Sequence, residues 1–357
     1  MENKKETDPV KHIKRIIFFI CASLFIFYSN GLAAFSGHEY TLSGKTMGTF
    51  YTIKFITSKK TSLPLWKARV DKRLKDINKR LSMFDPKSEL SLFNRHKIGT
   101  PIKVSSDFYT NLLTAKKLYE LTKGSWDGTL KPLVDLWGFG TKKRMLQIPE
   151  EDKINLALSK TGFHHIVFYE KQKILKARNI TLDLGSIAKG YGVDALAQLF
   201  TSSGIGDVLV EIGGELAGSG LNKKGNPWSV GISKPDTQFS NQKLYKIVQL
   251  NNNAIATSGN YRNFFEINKK TFSHIIDPKT GFPVDNSIAS VSVISKDCIF
   301  ADGLATALMV IDLQNALDLV NRLEDTECLI IQKKATKFIS HTSDNFDRFI
   351  KNRFIKN

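Results

Sequence analysis

The hydrophobic pattern of this chain changes period along its length without a regular beat, and that irregularity constrains the fold more than any single motif. Met47 to Phe55 (MGTFYTIKF) alternates and is rich in aromatic and β-branched residues, which predicts a strand entered through turns at Gly44 and Gly48. Leu65 to Leu81 then sets Leu65, Val70, Leu74, Ile77 and Leu81 near helical spacing among many Lys and Arg, the pattern of an amphipathic surface helix. A second helix is predicted from Ser105 to Leu121, capped by Ser105 or Ser106 and stopped at Gly124. Strands are expected at 207–213, 228–233, 245–250, 254–258, 261–267, 271–276 and 288–295, and helical spacing returns at Ser186 to Phe200, Phe300 to Val310 and Gln314 to Leu323. A parallel α/β fold needs strand and helix in alternation, so the expected class is α+β, with antiparallel sheets flanked by helices. No internal repeat and no Pro/Ser linker interrupts the chain after residue 40, which predicts a single two-lobed domain over 35–345 and a basic tail over 346–357.

Residues 1–34 have the layout of an export signal: basic Lys11, Lys14 and Arg15, the apolar run Ile16 to Tyr28, then small Gly31, Ala33 and Ala34. The run is short against the roughly 20 residues a spanning helix needs, so export is expected, with an uncleaved N-terminal membrane anchor as the alternative. Cys21 follows Phe18, Phe19 and Ile20 rather than small residues, so no lipoprotein processing is expected there. That leaves Cys298 and Cys328, both expected to be reduced and buried.

Lys and Arg number 52 against 34 Asp and Glu, a balance of +18 that favours anionic partners such as phosphates or acidic lipid head groups without naming one. From Gln332 to Asn357 the basic excess suits a membrane surface or plain solvation. GxxxxGK[ST], HExxH, GxSxG and paired CxxC motifs are all absent, which excludes P-loop, zincin, α/β-hydrolase and zinc-ribbon chemistry.

Four segments carry candidate chemistry. In ADGLATALMV (Ala301 to Val310), Asp302 and Thr306 stand at i and i+4 on one helix face, a carboxylate and a hydroxyl suited to a hard cation such as Mg²⁺; a dipole-stabilising Asp is the plainer alternative. In ITLDLGSIAKGYGVDAL (Ile180 to Leu196), a strand runs through a turn into a helix bearing Asp183, Lys189 and Asp194, where a phosphate near Ser186 and Lys189 would gain both a helix N-terminus and a point charge. Gly190 and Gly192 suit a helix interior badly, which implies that something packs closely against them. VEIGGELAGSG (Val210 to Gly220) reads as strand, tight turn and strand. FSHIIDPKTGFPVD (Phe272 to Asp285) places His274 just before a strong turn, as a structural residue or, if it converges with the other segments, as a proton carrier.

Taken in order, GKTMGTFYTI, RLSMFDPKSELSLFN, SWDGTLKPLVDLWGFG, LDLGSIAKGYGVDAL, VEIGGELAGSGLNKKGNPWSVGI, ATSGNYRNFFE, HIIDPKTGFPV and ADGLATALMV closely resemble the ApbE family, the FAD:protein FMN transferases, collinearly over about residues 40 to 332. The resemblance implies a T-fold-like catalytic domain and a Mg²⁺-dependent exported enzyme. Such an enzyme cleaves the FAD pyrophosphate, joins FMN to a Thr or Ser hydroxyl of an acceptor protein and releases AMP. It implies acceptors among flavin-bearing subunits of redox complexes of the NADH:quinone reductase or Rnf type, with the inner membrane surface nearby and no nucleic acid. By matching motifs, Met47, Phe84, Ser125, Trp126, Asp127, Asp183, Lys189 and Ile276 would contact FAD; Ser186, Asp302 and Thr306 would hold the metal; and His274 would be catalytic. Trp126 stands where the family usually has Phe, and FAD contact is expected through the rings of Phe84 and Trp126. A Mg²⁺-dependent FAD pyrophosphatase and a non-catalytic flavin-binding protein are the competing readings.

Overall fold

The strand expected from Met47 is the second limb of a hairpin. In the computed structural model β1 (His38–Thr46) pairs antiparallel with β2 (Thr49–Thr57), in register from His38↔Thr57 to Thr46↔Thr49. Met47 and Gly48 link them with φ of 47° and 71°, the left-handed pair that a two-residue turn between twisted strands requires. Gly44 therefore lies inside β1 rather than in a turn, and β1 escapes the sequence pattern because HEYTLSGKT is largely polar. The structure describes residues 37–140, 147–235, 243–260, 264–267, 270–335 and 337–351. The export signal expected over 1–34 and the last residues of the basic tail lie outside them.

Next come α1 (Leu63–Leu81), α2 (Glu89–Arg95), β3 (Ile102–Lys103), α3 (Ser106–Leu121), α4 (Lys131–Leu136) and α5 (Glu151–Leu158). Ser62 and Ser105 cap α1 and α3 through their side chains, and Gly124 at φ 80° follows α3 as expected. Leu65, expected on the inner face of α1, is exposed, and Trp66 beside it is buried instead. The chain continues with β4 (Ile166–Tyr169), β5 (Lys173–Lys176), α6 (Gly185–Thr201), β6 (Asp207–Ile212), β7 (Glu215–Ser219), β8 (Trp228–Ser233), β9 (Leu244–Leu250) and β10 (Asn253–Gly259). It ends with β11 (Phe264–Ile267), β12 (Lys270–Ser273), β13 (Ile288–Ser295), α7 (Cys298–Leu308), α8 (Leu313–Asn321), β14 (Glu327–Lys334), β15 (Lys337–Thr342) and a 3-10 turn at Phe346–Phe349.

An eight-stranded sheet in the order β1-β2-β6-β7-β10-β13-β14-β15 forms the frame, every neighbouring pair antiparallel, in agreement with the α+β expectation. β13 (IASVSVIS) is buried at every position because both faces of the sheet are covered there. Val291 and Val293 join the core beneath α6 and α7, while Ile294 joins Ile255, Leu329 and Ile331 under the β8–β9 hairpin. Phe346 and Phe349 complete that second core and Ile350 bridges to Val248, so the folded body runs past the boundary expected at 345. Burying a side chain as large as Phe stabilises by about 1.5–3 kcal/mol, enough to fix this short segment against the hairpin.

α6 and α7 cross closely. A Cβ on Gly190 would stand 2.5 Å from the main-chain oxygen of Cys298, so only glycine admits α7 at this distance, which explains the unfavourable residue inside α6. A smaller cluster of Leu133, Trp137, Ile154, Ala157, Phe272 and Ile276 binds α4 and α5 to β12 and the segment that follows it. Cys298 and Cys328 are both free and buried, as expected. No helix among the described residues is long and apolar enough to cross a membrane.

Candidate active site

A cleft of about 450 Å³ lies where the first turns of α6, the face of α7, the β10 end, the segment 125–139 with α4 inside it and the segment 274–276 meet. Of the residues predicted to act, all but Met47 and Phe84 line it. Met47 sits in the β1–β2 turn with its Sδ and Cε against Gly192 of α6, and Phe84 is 76% exposed beyond the end of α1.

α6 starts at the cleft without a side-chain cap from Leu184, and the carboxylate of Asp183, one residue earlier, meets the first N–H of the helix instead. The partly buried Asp183 carboxylate accepts from the Gly185 N–H at 2.9 Å, and burial holds its pKa above the ordinary range. One turn on, Lys189 Nζ donates to Glu215 Oε1 at 2.7 Å and lies 3.7 Å from Asp302 Oδ1. Burial alone would lower the pKa of this ammonium, but the carboxylates of Asp302 and Glu215 outweigh it and raise it. Burial likewise raises Glu215, with Asp302 adding repulsion and Lys189 opposing both. Asp302 is raised by burial against the pull of Lys189, and its Oδ2 accepts the Gly190 N–H at 3.0 Å.

Asp302 stands well inside α7, not at its N-terminus, so the dipole explanation does not apply to it. That end is served by Asp194, whose two oxygens accept the N–H groups of Cys298 and Ile299, each at 2.8 Å. Burial pushes Asp194 up to about 7. One turn beyond Asp302, the Thr306 hydroxyl bonds the main-chain oxygen of Asp302 at 3.2 Å and meets Ser258 Oγ at 3.1 Å. Asp302, Thr306, Ser258 and the Ser186 hydroxyl are hard oxygen donors of the kind Mg²⁺ takes, and Mg²⁺ needs few from protein. Among the described residues no group of three or more His, Cys, Asp or Glu forms a metal cluster.

The remaining wall comes from the segment 125–139, the turn before α4 and α4 itself. Trp126 is 2% exposed, wedged edge-on against Phe163 with its Nε1–H donating to Ser186 Oγ at 3.1 Å. It braces the α6 start instead of offering the open stacking face expected of it. Asp127 spends its carboxylate within the protein, Oδ1 accepting from Thr129 N and Oγ1 and Oδ2 from Phe163 N, while burial raises its pKa. His274 reaches the cleft beside Phe139, their rings edge-on at 6.4 Å, from a segment held by the Val284 N–H to Ile275 oxygen bond and the turn at Asp277. Sequence reasoning missed Glu215, Lys131 and Ser258. A charged residue opening the otherwise apolar strand ELAGS was the available signal for Glu215, and the i, i+4 pair Lys131–Asp135 was the signal for Lys131.

Comparison with known proteins gives the same result at every level. The family model described as the ApbE family matches residues 47–330. A protein named FAD:protein FMN transferase from Vibrio cholerae is 38% identical over 310 residues, covering 87% of this chain and 92% of the relative. Its namesake from Haemophilus influenzae is 37% identical over 320 residues, covering 86% and 90%. The solved flavin transferase ApbE of Vibrio cholerae superposes with a TM-score of 0.80 at 37% identity, over 88% of this chain and 100% of that one.

Proposed function

The chain belongs to the ApbE family, and from that premise and the cleft geometry we propose that it is an FAD:protein FMN transferase of the exported compartment. FAD lies in the cleft with its pyrophosphate at the first turn of α6. The hydroxyl oxygen of an acceptor Thr or Ser attacks the phosphorus on the FMN side, the bond from that phosphorus to the bridging oxygen breaks, and AMP leaves. FMN is left joined to the acceptor through a phosphoester. The acceptors are flavin-bearing subunits of membrane redox complexes of the NADH:quinone reductase or Rnf type, reached from the inner membrane surface.

Each part of the cleft has a share in this. Lys189 presents a fixed positive charge, since its flanking carboxylates hold it protonated. The start of α6, at the cleft, adds the positive end of its dipole. Asp302, Thr306 and Ser186 would hold Mg²⁺, which when bound neutralises pyrophosphate charge. Asp183 and Trp126 fix the turn that shapes the phosphate subsite, and His274 takes the proton of the attacking hydroxyl from the opposite segment of the wall. Phosphoryl transfer asks for positioning and charge neutralisation more than covalent help, and the cleft is built for both.

The observation that carries the proposal is the convergence of Lys189, His274, Asp302 and Thr306, from three distant segments, on one cleft. Incubation with FAD, Mg²⁺ and a purified acceptor subunit should raise the acceptor's intact mass by one phosphoester-linked FMN. Release of free FMN and AMP with an unmodified acceptor would make the chain a pyrophosphatase instead, and unchanged FAD would make it a binding protein.

A further inference from the structure

Glu215 belongs to none of the roles assigned so far, yet its carboxylate sits in the cleft. It opens β7 directly after Gly213 and Gly214, whose φ values of 64° and 108° turn the chain sharply enough to aim its first side chain inward. The side chain is 6% exposed. One oxygen, Oε1, accepts from Lys189 at 2.7 Å; the other, Oε2, is buried and has no hydrogen-bond partner among the described residues. A buried carboxylate oxygen left unmatched costs free energy, so a fold that retains one in its cleft has a bound group to satisfy it.

The surroundings say what kind of group. Lys189 Nζ touches Glu215 at 2.7 Å and stands 3.7 Å from Asp302 Oδ1, so one ammonium holds the two carboxylates as neighbours on the same wall. Two carboxylates share one ammonium in this buried place, so acidic oxygens outnumber cationic groups, a composition that a divalent cation matches. Thr306 and Ser258 bring two further hard oxygens to the same wall.

We infer that Glu215 is the second carboxylate of the divalent-cation site, binding through Oε2 to the cation held by Asp302 and Thr306. The inference rests on the metal reading of the preceding subsection and extends it to a residue on a different element. Glu215 thus ties the cation to Lys189 across the cleft, so that both positive charges keep a fixed spacing for the two phosphates of a pyrophosphate.

Manganese(II) binding to the purified full chain without FAD, followed by electron paramagnetic resonance titration, tests this independently of turnover. Glu215→Gln keeps the size of the side chain and an oxygen for Lys189, and should weaken Mn²⁺ binding at least tenfold while leaving the melting temperature of the metal-free chain in place. Asp302→Asn in the same titration reports on the underlying site. Loss of Mn²⁺ binding in Asp302→Asn with wild-type affinity in Glu215→Gln would overturn the role of Glu215 and leave the Asp302 site standing. If the wild-type chain shows no Asp302-dependent site, the metal reading is wrong and the inference falls with it. If Glu215→Gln proves less stable, Glu215→Asp replaces it: a shortened carboxylate should retain measurable but weaker binding, and wild-type affinity there would count against the inference.

Discussion

His274 separates a residue that serves the reaction from one that serves the fold. Its neighbours Ile275 and Ile276 are buried and the turn from Asp277 to Gly281 closes on its own hydrogen bonds, so the segment has holds on its shape besides the imidazole. His274→Asn should therefore leave the melting temperature and FAD affinity close to wild type while transfer slows by about 10²–10⁴-fold, the range general acid–base catalysis supplies. Single-turnover transfer alongside calorimetric FAD titration checks both halves; unchanged transfer would remove His274 from the chemistry. Trp126 makes the complementary case. Because its indole N–H holds Ser186 and its ring fills a buried gap, Trp126→Phe should keep most of the stability yet loosen the α6 start, and appear as a higher KM for FAD. An unaltered KM would mean that the Trp126–Ser186 bond does not shape the phosphate subsite.

Among the elements, the α6–α7 crossing decides whether the site exists. Helix propensity favours Ala over Gly by up to about 1 kcal/mol, but at Gly190 the added Cβ would meet backbone of α7 at 2.5 Å, and backbone cannot rotate aside. The collision outweighs the propensity, so Gly190→Ala should lower the unfolding free energy by about 1–3 kcal/mol and pull Asp302 away from the Gly190 N–H. Gly206→Ala, with nothing within 4 Å of its Cβ, is the control and should change stability by less than about 0.5 kcal/mol in the same urea titration. Equal midpoints for the two variants would mean that the helices adjust freely. This crossing was half legible in the sequence. Two glycines inside an apolar helix announced a close neighbour, and the Asp302/Thr306 spacing announced a face, because both depend on local period alone. Asp194 as the cap of α7 and Glu215 as the partner of Lys189 were not legible, because each depends on which distant element lies opposite. β1 and the core role of Phe346 and Phe349 were hidden for another reason: polar composition masked a strand held by pairing and a segment at 346–349 held by two aromatic rings.

For the whole molecule, the site is built at the expense of charge burial, and pH exposes that. Burial raises Asp194 to about 7, far above the value of about 3.9 expected in an unfolded chain. Between those two values the folded chain keeps a proton on Asp194 that the unfolded chain has lost, so its contribution to stability is complete below about pH 4 and is lost as pH rises through about 7. Asp107, whose pKa is lowered despite its burial by hydrogen bonds from Arg73 and Tyr191, acts in the opposite sense and only at lower pH, where its carboxylate protonates. The two windows barely overlap, which lets one substitution isolate the first. Asn at position 194 keeps an oxygen for one of the two N–H groups of α7 but cannot ionise. Asp194→Asn should therefore be less stable than wild type at pH 4.5, through the lost bond, and should gain on wild type steadily as the pH rises to 7.5. Urea denaturation at intervals across that range measures the difference directly. A difference that stays constant from pH 4.5 to 7.5 would show that Asp194 ionises alike in the folded and unfolded chain, and that the cap of α7 carries no buried proton.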